Sequence, residues 1–174
     1  MSSDGGKGSD VRRCMSFGIA CGFVLVIAAA CGSDGDSQQS SDSFVADANG
    51  ICADFFSSVK ALAGPSFSND EMPSSLDDDQ IAEGIRFFEA YLEIENGQLD
   101  RLRQLQPPSD AKEQFKTFID AWTQRRDAAE DALDAFEARE DEVYEKASSE
   151  LTAAAFKGAA VAQTLGLETC QGEG

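Results

Sequence analysis

The ionisable side chains of this chain set narrow limits on the chemistry it can perform. The 174 residues contain no histidine, which excludes Ser-His-Asp and Cys-His sites and the Glu-x-x-His motif of di-iron bundles. Carboxylates are plentiful, but a general acid or base must be partly buried to have a tuned pKa. Glu95 is the one acid on a strong apolar seam, where it could line a core pocket with Arg125 or Arg126. Because interrupted seams are common in bundles, we favour a partly exposed Glu95 and expect no catalytic residue.

Two acidic stretches are candidates for weak Ca²⁺ binding, Asp70-Glu71 and Asp77-Asp78-Asp79. Neither belongs to an Asp-x-Asp-x-Asp-Gly loop with a terminal Glu, which is the pattern of a dedicated calcium loop. A solvated helix start explains the second stretch better, because carboxylates favour the positive end of the helix dipole. We therefore expect no metal site and no cofactor.

The segment before Cys31 has the three parts of a secretory signal. Lys7, Arg12 and Arg13 form a positive region, and an almost unbroken apolar run over residues 15–30 follows and ends in three alanines. A membrane-spanning helix needs about 20 apolar residues. This run is shorter and is followed at once by polar residues, so an export signal over residues 1–30 is the better interpretation.

The sequence around Cys31, Ala28-Ala29-Ala30-Cys31-Gly32-Ser33, resembles the lipobox of bacterial lipoproteins. In that family the cysteine sulfur carries a diacylglyceryl group and the chain is cleaved just before it. The resemblance implies lipidation at Cys31 and a place on the extracytoplasmic face of the cell membrane. Ala28 stands where that family usually has Leu, and an ordinary signal peptidase could cut the same bond. A secreted protein with a free thiol and an uncleaved anchor therefore remain alternatives.

Removal of residues 1–30 leaves 144 residues, which is enough for one domain with a buried core. The signal holds three of the 14 basic and two of the 32 acidic residues, so the mature chain has a net charge of −19. Such a surface repels polyanions. We therefore exclude nucleic acid as a partner.

The remaining chain predicts an all-α domain over residues 44–170, between a flexible Gly/Ser/Asp-rich tether (31–43) and a short tail (171–174). The first helix should cover residues 44–63 with Ser43 as its N-cap. The second should open at Asp77, whose spacing to Gln80 is that of a capping box, and should end near Leu105 before two prolines.

The second half of the domain predicts two more helices. The third should begin at Ser109 or Asp110, with Asp110-x-x-Glu113 as a capping box. No Gly or Pro separates it from the fourth, so one very long helix remains an alternative to a turn at 138–140 with Asp141 as the next N-cap. Gly166 suits the position just after the fourth helix. Between the first two helices, we expect Phe67 and Met72 to dock the long loop on the core.

Four helices with short connections favour an up-down-up-down four-helix bundle. In that topology the end of the fourth helix returns to the start of the first. Of the five cysteines, two leave with the signal and Cys31 is the lipid candidate, which leaves Cys52 and Cys170. We predict that these two form a disulfide, because the topology brings them together in an oxidising compartment.

Three short motifs together resemble a group of small helical lipoproteins of actinobacteria that have a cysteine near each end of the domain. They are Asn49-Gly50-Ile51-Cys52, Leu105-Gln106-Pro107-Pro108 and Leu165-Gly166-Leu167-Glu168-Thr169-Cys170. The resemblance covers residues 44–170 and concerns structure, so it implies no activity and no catalytic position.

These observations lead to a functional hypothesis. We expect a lipid-anchored cell-envelope protein whose helical domain binds an envelope protein or a small ligand without catalysis. A structural envelope component with no discrete ligand is one alternative. A secreted protein with weak carboxylate-based enzyme activity is another.

Overall fold

The computed structural model of the chain describes residues 40–68 and 71–172. The predicted signal, Cys31 and the tether up to residue 39 lie outside these residues. The described residues form four α-helices and no strand: α1 (Ser41–Ala61), α2 (Asp78–Arg103), α3 (Lys112–Ala138) and α4 (Asp141–Thr164). Two short 3₁₀ segments, Pro73–Ser75 and Glu168–Gln171, complete them. The predicted all-α four-helix bundle is confirmed.

Side-chain neighbours give the directions of the helices. Phe136 of α3 lies against Gly84 of α2 and Tyr144 of α4, while Trp122 of α3 lies against Gly158 of α4. Because Arg125 of α3 meets Glu95 of α2, both neighbours run antiparallel to α3. Along α1, Phe44 contacts Phe115 and Phe55 contacts Trp122, so α1 runs parallel to α3.

The predicted start of α1 was three residues late. Ser40, not Ser43, is the N-cap, and its hydroxyl accepts a hydrogen bond from the Ser43 backbone N–H. Residues 41–43, which the sequence assigned to the tether, therefore belong to the first turn of the helix. Serine is a strong N-cap at either position, so composition alone does not choose between them.

α2 has the capping box that the sequence predicts, with Asp77 and Gln80 each bonded to the other's backbone N–H. α3 was predicted wrongly at its start. A turn closed by the Ala111 N–H and the Pro108 carbonyl takes up the predicted first residues, and the helix begins at Lys112 without a side-chain cap.

α3 and α4 are separate helices, and the break lies where the sequence placed it. Arg139 ends α3 in a left-handed conformation with φ of 56°. Its guanidinium donates to the Leu76 carbonyl and pairs with Asp78, which holds a non-glycine residue in this strained region. The N-cap of α4 is Glu140, not Asp141, because the Asp141 carboxylate accepts instead from the Ser74 N–H and hydroxyl.

Two apolar clusters fill the bundle. The larger one joins α1 to the C-terminal ends of α2 and α4 and the start of α3, with Phe44, Phe118 and Leu102 at its centre. The smaller one lies at the far end, where Leu76, Ile81 and Phe136 are buried. Phe67 stacks on Phe136 there, as predicted for a docked loop, whereas Met72 stays 37% exposed.

The Cys52–Cys170 disulfide is present, as the topology predicts, and its Cα atoms lie 5.1 Å apart. Gly166, with φ of 70°, turns the chain after α4 and lets the Leu167 N–H bond the Ala162 carbonyl. The bridge closes 118 residues, which in the chain-entropy model stabilises the fold by about 4–5 kcal/mol.

Substitution by alanine at two glycines of α2 should change the free energy of unfolding in opposite directions. A Cβ at the buried Gly84 would overlap the Phe136 ring, so Gly84→Ala should lower the free energy of unfolding by about 1–3 kcal/mol. Gly97 is exposed with no atom within 4 Å of such a Cβ, so Gly97→Ala should raise it by up to about 1 kcal/mol. Urea denaturation of both variants measures the pair, and effects of equal sign would contradict the packing described here.

Candidate functional site

A buried ion pair lies between the two apolar clusters. Arg125 Nε of α3 donates to Glu95 Oε1 of α2 over 2.6 Å. The Glu95 side chain has no exposed area, and that of Arg125 is 10% exposed. The pair occupies the layer where the sequence places Glu95 on the apolar seam, so the helix phase that buries Ile81 and Leu99 also buries this carboxylate.

Aromatic rings hold the guanidinium. Arg125 Cζ lies 4.0 Å from the centroid of the Trp122 ring and 4.6 Å from that of Phe55 on α1. Cation–π attraction offsets part of the cost of removing this charge from water. Glu95 Oε2 and Arg125 Nη2 are also buried and make no hydrogen bond to another described residue. The two side chains are therefore tightly packed, but not all of their polar atoms make hydrogen bonds.

Burial is the largest influence on the pKa of Glu95 and of Tyr91. It raises the pKa of Glu95 above its usual 4.5, although Arg125 and the Tyr91 hydroxyl act in the opposite direction. Burial also raises the pKa of Tyr91, one turn earlier on α2, to about 12. Glu95 therefore accepts a proton at a higher pH in the folded state than in the unfolded chain.

The sequence-based interpretation of these residues was correct in part. Our preference for a partly exposed Glu95 was wrong, because its side chain is fully buried against Arg125. Of the two candidate partners, Arg125 meets Glu95. Arg126 lies on the next face of α3 and pairs with Asp127 and Glu130 instead. Glu95 is fully buried and paired with Arg125, so the two side chains pack between the helices.

The residues around the disulfide join the two ends of the domain. Cys52 and Cys170 are both buried, and the Asn49 side chain accepts a hydrogen bond of 2.9 Å from the Thr169 N–H. Two of the motifs that define the resemblance therefore contact each other. Their role here is structural, since a disulfide sulfur is neither a nucleophile nor a metal ligand.

The outward face of α4 carries a large exposed aromatic side chain. Phe156 is 73% exposed there. The outer face of α4, defined here by exposed uncharged residues of 149–163, consists of Ser149, Thr152, Ala153, Phe156, Ala160 and Gln163; exposed Lys157 lies beside it and exposed Glu145 lies one turn before Ser149. The two charged residues of that stretch, Glu150 and Lys157, lie at the α3 side, where Lys157 donates to Gln124.

Phe156 was missed in the sequence. The buried face of α4 repeats at Ala147, Ala154, Gly158 and Ala162, and Phe156 falls out of phase with it. That phase error was the available signal, because a large apolar residue opposite the core face of an amphipathic helix has no internal partner.

A shallow groove of about 440 Å³ lies beyond the C-terminal end of α1. Met72, Phe88, Tyr144 and Leu151 give it apolar walls, and Glu145 lies at its edge. α1 ends at Ala61 and leaves this part of the bundle to the loop, so the groove is open to solvent. It is a candidate place for a small apolar ligand.

The described residues contain neither a cluster of metal ligands nor a helix that could span a membrane. Residues 40–68 and 71–172 contain no group of three or more Cys, Asp or Glu side chains placed to hold a metal ion. Within the same residues, none of the helices has the length and apolar character needed to cross a membrane. Compared with protein-family models, curated proteins and solved structures, the chain matches none.

A double-mutant cycle tests the energetic coupling of Glu95 and Arg125. Arg125→Met leaves the Glu95 carboxylate buried without a cation and should cost about 3–5 kcal/mol of unfolding free energy. Adding Glu95→Leu removes the uncompensated charge, so the double variant should be more stable than Arg125→Met alone. Chemical denaturation of the four proteins of the cycle measures this, and strictly additive losses would contradict the pairing.

The raised pKa of Glu95 predicts a pH dependence of known sign. Because the folded state binds this proton more tightly, the carboxyl stabilises the fold most at low pH and loses that contribution as the pH rises through its folded pKa. The unfolding free energy of the native protein minus that of Glu95→Gln should therefore increase as the pH falls from about 7 toward 4.5. Urea titrations at several pH values test it, and a decrease would show that Arg125 outweighs burial.

Proposed function

We propose that this chain is an exported protein, anchored to the outer face of the cell membrane by a lipid on Cys31, whose helical domain binds another protein without catalysis. The lipobox-like sequence supports the anchor. The disulfide of the domain supports export, because such bonds persist in oxidising compartments. The proposal leaves the membrane as the first partner and an envelope protein as the second.

The exposure of Phe156 is the observation on which the binding role rests. A phenylalanine that is 73% exposed gains nothing from folding and raises the risk of aggregation. Aromatic residues of this kind commonly become the buried anchors of protein–protein interfaces. The uncharged outer face of α4 around it lowers the desolvation cost of covering that surface.

The position of the ionisable groups argues against catalysis. The buried acid with a raised pKa, Glu95, is sealed by Arg125 and its aromatic neighbours. The two carboxyls whose pKa is lowered, Glu83 and Asp141, are exposed and accept hydrogen bonds from loop serines. Neither arrangement offers a tuned acid–base pair to a substrate.

The groove formed by Met72, Phe88, Tyr144 and Leu151 supports a second candidate role. Its volume of about 440 Å³ falls within the range of small-molecule sites, and its walls are apolar. A small apolar ligand carried close to the membrane would fit that chemistry.

The anchor predicts the mass of the protein extracted with detergent. Intact mass spectrometry should give a chain that starts at Cys31 with an added diacylglyceryl group and gains about two mass units when its one disulfide is reduced. Cys31→Ser should abolish the added mass. A bare chain that starts at Cys31 would indicate secretion, and an uncleaved chain would indicate a single-pass anchor.

The binding role predicts an assembly that depends on Phe156. The native full chain, treated with an amine-reactive crosslinker in its membrane before extraction, should run as a complex larger than one chain, and Phe156→Ser should lower the complexed fraction about tenfold. Val143→Ser, which removes an apolar side chain that is 47% exposed elsewhere on α4, is the matched control and should keep the complex. A native protein that runs as a single chain would contradict the role.

A further inference from the structure

The apolar groove beyond the end of α1 has walls that internal contacts hold in place. Met72 forms one wall, and the neighbouring Ser74 ties this loop to α4 by donating two hydrogen bonds to Asp141. Phe88 and Tyr144 form another, and their rings meet edge to face with centroids 6.3 Å apart. A ligand therefore meets walls that are already ordered, which lowers the entropic cost of binding it.

The charge at this groove has one sign. Among the described residues that line it, Glu145 is the one charged side chain, and it is exposed at the edge. Lys146, the next residue of α4, pairs with Glu150, and both of these residues line a different groove. The mature chain carries a net charge of −19, so the potential around the groove is negative. The groove therefore favours a cation and disfavours an anion.

The size of the wall side chains decides which kind of cation fits. The groove between α3 and α4 near Lys157 has three carboxylates, but alanines are the apolar residues among its described lining. The present groove offers Phe88, Tyr144 and Leu151 instead. Apolar walls of this size stabilise an organic group by removing it from water, and the ring faces attract an ammonium group. A hydrated metal ion gains from neither contact.

We propose that this groove binds a small organic cation, whose apolar body packs on Phe88, Tyr144 and Leu151 and whose ammonium group lies beside the Glu145 carboxylate. The inference rests on the second candidate role proposed above and names its ligand class. Because Glu145 is exposed, its ion pair adds a modest preference for the cation, and the apolar contacts supply most of the affinity.

Met72 provides a reporter for this site. The chain has three methionines, and two of them lie in the predicted signal, so Met72 is the sole methionine of the processed chain. We would label its methyl group with ¹³C in the full chain, in nonionic detergent, and follow its NMR shift during titration. The probes are 2-phenylethylammonium, 2-phenylethanol and 3-phenylpropionate, which share a phenylethyl body and differ in the charge of the head group. The ammonium should bind about fivefold more tightly than the alcohol, and the carboxylate more weakly than both.

Three variants locate the site and the source of the preference. Glu145→Gln should bring the affinities for the ammonium and the alcohol within about twofold of each other. Glu142→Gln, which removes an exposed carboxylate of α4 outside the groove lining, is the matched control and should keep the fivefold ratio. Ser148→Phe places a ring in the groove and should abolish binding of all the probes. Circular dichroism checks that each variant keeps its helices.

The outcomes separate the inference from the role on which it rests. A preference for the ammonium that Glu145→Gln removes and Glu142→Gln keeps supports both. Equal binding of the ammonium and the alcohol overturns the cation and leaves an apolar ligand in place. A preference that survives Glu145→Gln reflects the net charge of the chain and overturns the proposed contact. Binding that persists in Ser148→Phe, or no response of Met72 to any probe, overturns the groove as a ligand site.

Discussion

The Cys52–Cys170 disulfide is the constraint on which the arrangement of the helices depends. Each of the helices α2, α3 and α4 packs on its predecessor, but α1 packs mainly on α2 and on the 3₁₀ segment Glu168–Gln171. The bridge fastens α1 to that segment and so closes the bundle at one end. Because α1 stops at Ala61, the far end is closed by a loop in which Phe67 stacks on Phe136. The same short first helix leaves the apolar groove open.

The buried Glu95–Arg125 pair fixes the register of α2 against α3. A pair of this kind adds little net stability compared with apolar side chains, because both charges lose their water. Any slip of α2 against α3 would bury both charges apart from each other and would remove Arg125 from between Phe55 and Trp122. We interpret the pair as a device for specificity, because a wrong register would leave each charge buried without its partner.

Much of the fold could be predicted from the sequence, because long apolar seams, prolines and a capping box mark most helices, and the bundle topology then predicts the disulfide. The misses have physical reasons. The N-cap of α4 is Glu140 and not the predicted Asp141, whose carboxylate bonds Ser74 of a distant loop, a contact that no local pattern encodes. The burial of Glu95 depends on its pairing with Arg125 of α3, whose guanidinium lies against the rings of Phe55 and Trp122. Phe156 was missed although it lies out of phase with the buried face of α4, a signal that the sequence does carry.

The central claim is that the outer face of α4 is covered when the protein is in its membrane. Hydroxyl-radical footprinting of the full chain, in membranes and after extraction and dilution in detergent, tests it directly. The account predicts that Phe156 is protected in the membrane and reacts after extraction, whereas Val143, which is exposed on another side of α4, reacts alike in both states. Equal reactivity of Phe156 in both states would show that nothing covers α4 and would contradict the account.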